Sequence, residues 1–148
     1  MKIAFGCDEH APAGEAVVAA LKAAGHQVLV LADPAEWPEA GRRVGQAVAS
    51  RAADLGVVCC TTGTGVSIAA NKVPGVRAAL CTDAATAIGA RRWNDANVLA
   101  FGLRLTTPAV ACEMVHAFLT AHPDPDTPQA VARLEPSARL EPSARLAP

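Results

Sequence analysis

The stretch GVVCCTTGTGVSIAANK, residues 56–72, decides how the rest of the chain is read. Its first five residues are an apolar run bounded by glycine and threonine, which at that length reads as a buried strand. The small residues TTGTG follow, and GVSIAANK then reads as a short helix. A strand feeding a glycine-rich turn and a helix is one arm of a βαβ unit. Alternation along the strand sends Cys59 and Cys60 to opposite faces of a sheet. Cys60, as its last residue, borders the turn. Amides of a turn that opens a helix point outward with partial positive charge, so they suit a phosphate or an oxyanion. Gly63 and Gly65 supply the turn, and Thr61, Thr62, Thr64 and Ser67 add hydroxyls. The plain alternative is a tight turn that needs glycine for its backbone angles, with two small buried thiols beside it.

The same alternation of short strands and helices runs outward in both directions. KIAFG (2–6) reads as a first strand and GEAVVAALKAAG (14–25) as a helix, with Gly25 as its stop. HQVLVL (26–31) is the second strand, ADPAEWPEAG (32–41) a loop with two prolines, and EAGRRVGQAVASRAADL (39–55) a second helix with a wet arginine face. Beyond the central stretch, GVRAALC (75–81) is a fourth strand. A helix over 83–94 is opened by Asp83 as N-cap. NVLAFG (97–102) is a fifth strand, and a last helix starts at Thr107 with Pro108 in its first turn. This pattern predicts an α/β fold: a five-stranded parallel sheet with helices on both faces. Ligands of such sheets bind beyond the carboxyl ends of the strands. The loops CDEHAPAG (7–14), TTGTG (61–65) and TDA (82–84) all begin there.

Several nucleotide and phosphate chemistries are excluded by spacing. No Gly-Lys-Ser/Thr follows the turn, so it is not a Walker A loop. The position of the third glycine of a dinucleotide fingerprint holds Ile68, and the turn is the third βα turn instead of the first. A thiol phosphatase loop needs an arginine six residues after its cysteine, where this chain has Val66 after Cys60.

Composition narrows the classes further. The chain has 148 residues, 51% hydrophobic and 18% charged, with a formal net charge of −1. That suits one domain with a core and argues against broad electrostatic binding to nucleic acid or an acidic membrane. Three Phe, two Trp and no Tyr leave few platforms for base stacking. The N-terminus reaches acidic residues too soon for a signal peptide, and no apolar run is long enough to span a bilayer, so a cytoplasmic location is expected. Five cysteines without C-x-x-C spacing read as free thiols, so neither a disulfide frame nor a metal site is expected. The tail differs: ARLEPS occurs at 132–137 and again at 138–143. Two copies with a proline in each make neither a helix nor a solenoid. The expected organisation is therefore a domain over 1–122 and a C-terminal extension over 123–148, either mobile or docked on a partner.

At Cys60 the chemistry sharpens. Amides and a helix N-terminus depress a thiol pKa. A thiolate there could take a proton from a carbon next to a carbonyl while the amides hold the enediolate oxygens. These residues resemble the type B ribose-5-phosphate isomerases and their galactose-6-phosphate isomerase relatives. KIAFGCD is similar to that family's first strand and the aspartate after it. GVVCCTTGTGVSIAANKVPGVRAAL is similar to its central block, and WNDANVLAFGLR to its HNDANVLAFGxR block. WPEAG falls where the family has an aromatic-Pro pair.

The resemblance implies a Rossmann-like three-layer α/β/α domain that forms a homodimer or a tetramer with sites at the subunit interface. It implies interconversion of ribose 5-phosphate and ribulose 5-phosphate, or of a related sugar phosphate, through a cis-enediolate, with no cofactor and no metal. By matching position, Cys60 is the base, and Thr61, Thr62, Gly63, Thr64 and Gly65 hold the enediolate oxygens, with Thr62 placed in the catalytic set. Asp8 contacts sugar hydroxyls. Asn94 contacts substrate from the other subunit, and Arg104 helps hold the phosphate. Ser67 joins the substrate-binding set from the same turn.

This chain also departs from the family pattern. Trp93 stands where the family has the histidine thought to open the sugar ring. It is expected to border the substrate, with interface packing as the alternative. The family's histidine after the aspartate is replaced by Glu9 and then His10, of which His10 is a candidate acid or base and Glu9 a candidate ligand of a hydroxyl. The family's C-terminal RHxxR cations fall on Thr127 and Val131, leaving Arg104 with Arg91 or Arg92 as helpers. These departures keep two alternatives open: an isomerase for a different phosphorylated or unphosphorylated sugar, and a non-catalytic sugar-binding subunit.

Overall fold

A computed structural model describes residues 1–134. Five strands, β1 (Lys2–Cys7), β2 (Gln27–Ala32), β3 (Leu55–Cys60), β4 (Ala78–Leu80) and β5 (Val98–Gly102), form one sheet in the order β2-β1-β3-β5-β4. Every pairing is parallel. The helices are α1 (Pro12–Ala23), α2 (Trp37–Ala49), α3 (Thr64–Asn71), α4 (Ala84–Asn94), α5 (Pro108–Thr120) and α6 (Thr127–Val131). The result is the expected three-layer α/β/α fold.

Strand alternation divides the core in two. Ile3, Phe5, Val57, Cys59, Leu99 and Phe101 pack with Val17, Leu21, Met114 and Phe118 on the face covered by α1, α4 and α5. Ala4, Val58, Cys60, Val98 and Ala100 pack with Val44, Val48, Val66 and Ala70 on the face covered by α2 and α3. The second face is built of smaller residues, and its helices lie close. A Cβ on Gly41 of α2 would sit 2.6 Å from the Val66 carbonyl oxygen and 2.7 Å from Ala69 Cβ of α3.

The expected caps are in place. The Asp83 side chain accepts the Thr86 N–H at 2.7 Å, and Thr107 Oγ1 accepts the Val110 N–H at 3.3 Å. Gly25 follows α1 with φ 81°.

Three expectations are corrected. Trp37 and Pro38 belong to α2 and not to the loop before it, because a proline in the first turn withholds only an N–H that has no helical partner. The fourth strand is cut to Ala78–Leu80: the Arg77 N–H turns instead to Asn97 Oδ1 at 2.8 Å. At this edge of the sheet Asn71 acts as a surrogate strand, its Nδ2 donating to the Ala78 carbonyl and its Oδ1 accepting the Ala78 N–H, each at 2.8 Å. The short helix α6 was not expected. It is anchored on the end of α4, where the Asp124 N–H and the buried Thr127 hydroxyl both donate to the Arg92 carbonyl. The ARLEPS repeat lies outside the described residues from residue 135 onward.

In this order the connection from β1 runs to β2 on one side, while that from β3 runs to β4 on the other. The carboxyl ends of β1 and β3 are thus a topological switch point, where open α/β sheets bind ligands.

Candidate active site

β3 ends at Cys60, and four residues later, at Thr64, the chain is helical. Gly63 makes this possible as the N-cap of α3 in the left-handed region, φ 77° and ψ −16°. A Cβ at Gly63 would lie 2.6 Å from the Phe101 carbonyl carbon and 2.7 Å from the Gly102 nitrogen, so the turn is pressed against the end of β5. This geometry aims the Gly63 N–H at Cys60 Sγ, 3.1 Å away, with the sulfur as acceptor. The Cys60 residue is 4% exposed. Its sulfur is therefore directed at the glycine turn, on the small-residue face, as alternation requires.

Cys59 goes the other way. Its sulfur lies 3.9 Å from the Gly6 carbonyl oxygen, inside the aromatic core. A hydrogen bond shared with Cys7, followed by burial, pushes the Cys59 thiol far up. It stays a neutral packing group.

The turn presents polar groups outward. Thr61, Thr62 and Thr64 are exposed, and the Thr62 and Thr64 hydroxyls share a hydrogen bond of 2.7 Å. Ser67 is buried one turn into α3, its N–H donating to the Gly63 carbonyl at 3.2 Å. Gly65 is roofed by the indole of Trp37, whose ring carbons would sit 2.9 Å from a Cβ there.

β1 brings the second set. The Asp8 N–H donates to the Cys59 carbonyl at 3.3 Å, which fixes the loop after β1 beside the tip of β3. Asp8 Oδ1 is buried without a hydrogen-bond partner among the described residues. Burial, and then the charge of Glu9, raise the Asp8 carboxyl above the ordinary carboxylate range. Glu9 Oε1 accepts the Thr61 hydroxyl at 3.2 Å, joining the two loops. His10 is further out, mostly exposed, with Nδ1 3.4 Å from Asp33 Oδ1 at the end of β2.

β5 brings the third. The Leu103 N–H donates to the Cys60 carbonyl at 2.9 Å and the Arg104 N–H to the Thr61 carbonyl at 3.0 Å. Arg104 thereby lines, with Thr61, Thr62, Thr82, Leu105 and Thr106, a cleft of about 210 Å³ that is also bordered by Leu80, Cys81 and Gly102. Burial, and then Asp83, push the Cys81 thiol up to about 11.

One chain thus gathers Asp8, Glu9, Cys60, the 61–65 turn and Arg104, with His10 at the rim. It does not gather Trp93 and Asn94. Both are exposed at the end of α4, which runs back from the carboxyl end of the sheet. They line a shallow depression that touches Leu80 and Cys81 but not the 61–65 turn.

The two proposed helper arginines are engaged elsewhere. Arg91 Nη1 donates to Asp95 Oδ1 at 2.9 Å and to the Ala96 carbonyl at 2.6 Å, and Arg92 pairs with Asp124 at 3.0 Å. Sequence reasoning missed the roof over Gly65 and the Thr61–Glu9 bond. Both join residues far apart in the chain, and only the aromatic-Pro pair at Trp37 marked the first. Among the described residues, no group of three His, Cys, Asp or Glu side chains could hold a metal ion, and no helix is long and apolar enough to cross a membrane.

Comparison with known proteins supplies the family. A family model described as Ribose/Galactose Isomerase matches residues 3–135. Galactose-6-phosphate isomerase subunit LacB of Clostridium acetobutylicum is 39% identical over 126 residues, 82% of this chain and 73% of that protein. Ribose-5-phosphate isomerase B of Escherichia coli is 39% identical over 125 residues, 81% of this chain and 84% of that protein. The solved structure of Clostridium thermocellum ribose-5-phosphate isomerase B superposes with a TM-score of 0.83 at 36% identity, covering 90% of this chain and 95% of that one. A βαβ switch point, a cysteine under a glycine turn and matches across nearly all of the described residues converge on one assignment: this chain belongs to the ribose/galactose isomerase family.

Proposed function

We propose that the chain interconverts an aldose phosphate and its ketose phosphate with Cys60 as the base. The carrying observation is the Gly63 N–H held 3.1 Å from Cys60 Sγ, at a strand tip bordered by the hydroxyls of Thr61, Thr62 and Thr64. As thiolate, Cys60 takes the proton from C2 of the open-chain aldose. The C–H electrons form the C1=C2 bond, and the carbonyl oxygen becomes the enediolate oxygen. Amides of the 61–65 turn and the Thr62 hydroxyl stabilise that charge. His10 serves as the acid or base that moves the proton between the C1 and C2 oxygens, with Asp8 and Glu9 on the sugar hydroxyls. Cys60 then returns its proton to C1. No electrons leave the sugar, so the chemistry needs no redox partner.

Ribose 5-phosphate and ribulose 5-phosphate are the reference pair, on the strength of the resemblance and of relatives bearing that name. A different sugar, phosphorylated or not, is the second reading, favoured by the engagement of Arg91 and Arg92 away from the cleft. Arg104 is the assigned phosphate ligand. Trp93 and Asn94 are assigned to the site of a second copy, in a homodimer or a tetramer of cytoplasmic location. The exposed Ile68, Leu80, Trp93 and Leu105 supply apolar area for that contact.

The test is turnover of sugar phosphates together with exchange of the C2 proton into D2O, for the native chain and Cys60→Ala. A positioned general base contributes about 10²–10⁴-fold. Cys60→Ala is expected to lose roughly 10³-fold or more in kcat/KM, about 4 kcal/mol of transition-state stabilisation. Undiminished exchange in that variant removes Cys60 as the base. Binding without exchange in the native chain leaves a sugar-binding subunit.

A further inference from the structure

Isomerisation at this site begins from an open chain, because only that form carries a carbonyl next to C2. Aldopentose and aldohexose phosphates exist almost entirely as rings. An enzyme that takes up the ring must supply two groups: one gives a proton to the ring oxygen, and the other takes one from the anomeric hydroxyl.

In a pentose 5-phosphate the ring oxygen is carried by C4. With C1 and C2 at Cys60 and the phosphate at Arg104, that oxygen falls along the wall between them. This wall consists of Leu80, Cys81, Thr82, Leu105 and Thr106. Two of its members are hydroxyls and two are aliphatic. The fifth is a thiol pushed up to about 11. None exchanges protons near neutral pH.

The chain's four histidines do not fill the gap. His26 and His116 line a groove between α1 and α5, beside Met1 at the amino end of the sheet. His122 lies just past the end of α5. His10 sits against Asp33 on the β1 side. Asp8 and Glu9 are on that side as well, Glu9 held by the Thr61 hydroxyl at the turn, and both are assigned above to sugar hydroxyls. At the exposed end of α4, assigned above to the site of a second copy, the leading side chain is the indole of Trp93, which exchanges no proton.

We infer that the site processes sugar phosphates only in open-chain form, and that its preferred aldoses are four-carbon 4-phosphates. In such a sugar the hydroxyl that would close a five-membered ring carries the phosphate, so no ring forms and no ring-opening acid is required. The short reach also suits Arg104, whose backbone is bonded directly to Thr61 of the turn. This inference rests on the isomerase reading above.

The experiment compares D-erythrose 4-phosphate with D-ribose 5-phosphate on the full chain without added metal, by kcat/KM and by the dependence of rate on enzyme concentration. The expected result is at least a hundredfold higher kcat/KM for the tetrose phosphate. With ribose 5-phosphate, the rate should stop rising at high enzyme, because spontaneous ring opening then limits it, while the tetrose rate stays proportional to enzyme. Equal or better use of ribose 5-phosphate, with rate proportional to enzyme throughout, overturns the inference and leaves the isomerase reading intact. Absence of turnover and of C2 proton exchange with both sugars overturns the two together.

Discussion

The two faces of the sheet are built on different scales. One holds Phe5, Phe101, Phe118 and Met114, and its helices stand off the strands on large side chains. The other holds alanines, valines and glycines, so that α2 and α3 lie almost in backbone contact. Cys59 and Cys60 are consecutive residues that fall one to each face. The large face supplies apolar burial. The small face brings the start of α3 down onto a strand tip, where its amides meet a sulfur. Apolar burial and the proposed chemistry thus fall to different faces, and four substitutions test the division.

The largest effect on stability is expected from Phe118→Ala on the large face. Loss of a fully buried Phe costs about 3–5 kcal/mol. Turnover per folded molecule should be retained, and a denaturant titration alongside an assay separates the two. On the small face, Gly41→Ala places a methyl 2.6 Å from a backbone oxygen of α3. Overpacking of this kind costs about 1–3 kcal/mol, and here kcat should fall as well because α3 must shift. Unchanged kcat would break the proposed link between close helix packing and the site.

Cys59→Ala is the control for Cys60. It removes a neutral thiol from the large face, should cost about 1 kcal/mol from the lost buried volume, and should leave kcat unaltered. The smallest shift is expected from Asp8→Asn. Burial raises the Asp8 carboxyl, so ionisation favours the unfolded chain once the pH exceeds the ordinary carboxylate value. The native chain therefore carries a penalty at neutral pH that is absent below both values. Asp8→Asn should raise Tm at pH 7, with the gain vanishing in acid, while weakening substrate binding. A gain independent of pH would show that burial of the charge is not the cause.

Much of this was legible in the sequence, for local reasons. Each strand is a short apolar run with a punctuating residue, Asp83 and Thr107 announce their helices, and alternation alone separates Cys59 from Cys60. The turn after Cys60 was legible because glycine at its N-cap answers a backbone requirement within four residues. What was missed depends on distance. The strand order and the roofing of Gly65 by Trp37 join segments far apart in the chain. So do the Glu9–Thr61 bond and the commitment of Arg92 to Asp124. The start of α2 was misread because a Trp-Pro pair looks like a breaker until its place in the first turn is known. The truncation of β4 turned on a single side chain, Asn97, which takes the Arg77 N–H.

Asn71 has a consequence beyond the fold. A parallel sheet ending in a three-residue strand exposes main-chain donors and acceptors to any extended peptide that passes. By occupying both outward groups of Ala78, one carboxamide removes the first rung such a peptide would grip. At this edge the chain is thereby made a poorer template for strand addition, the route toward fibres.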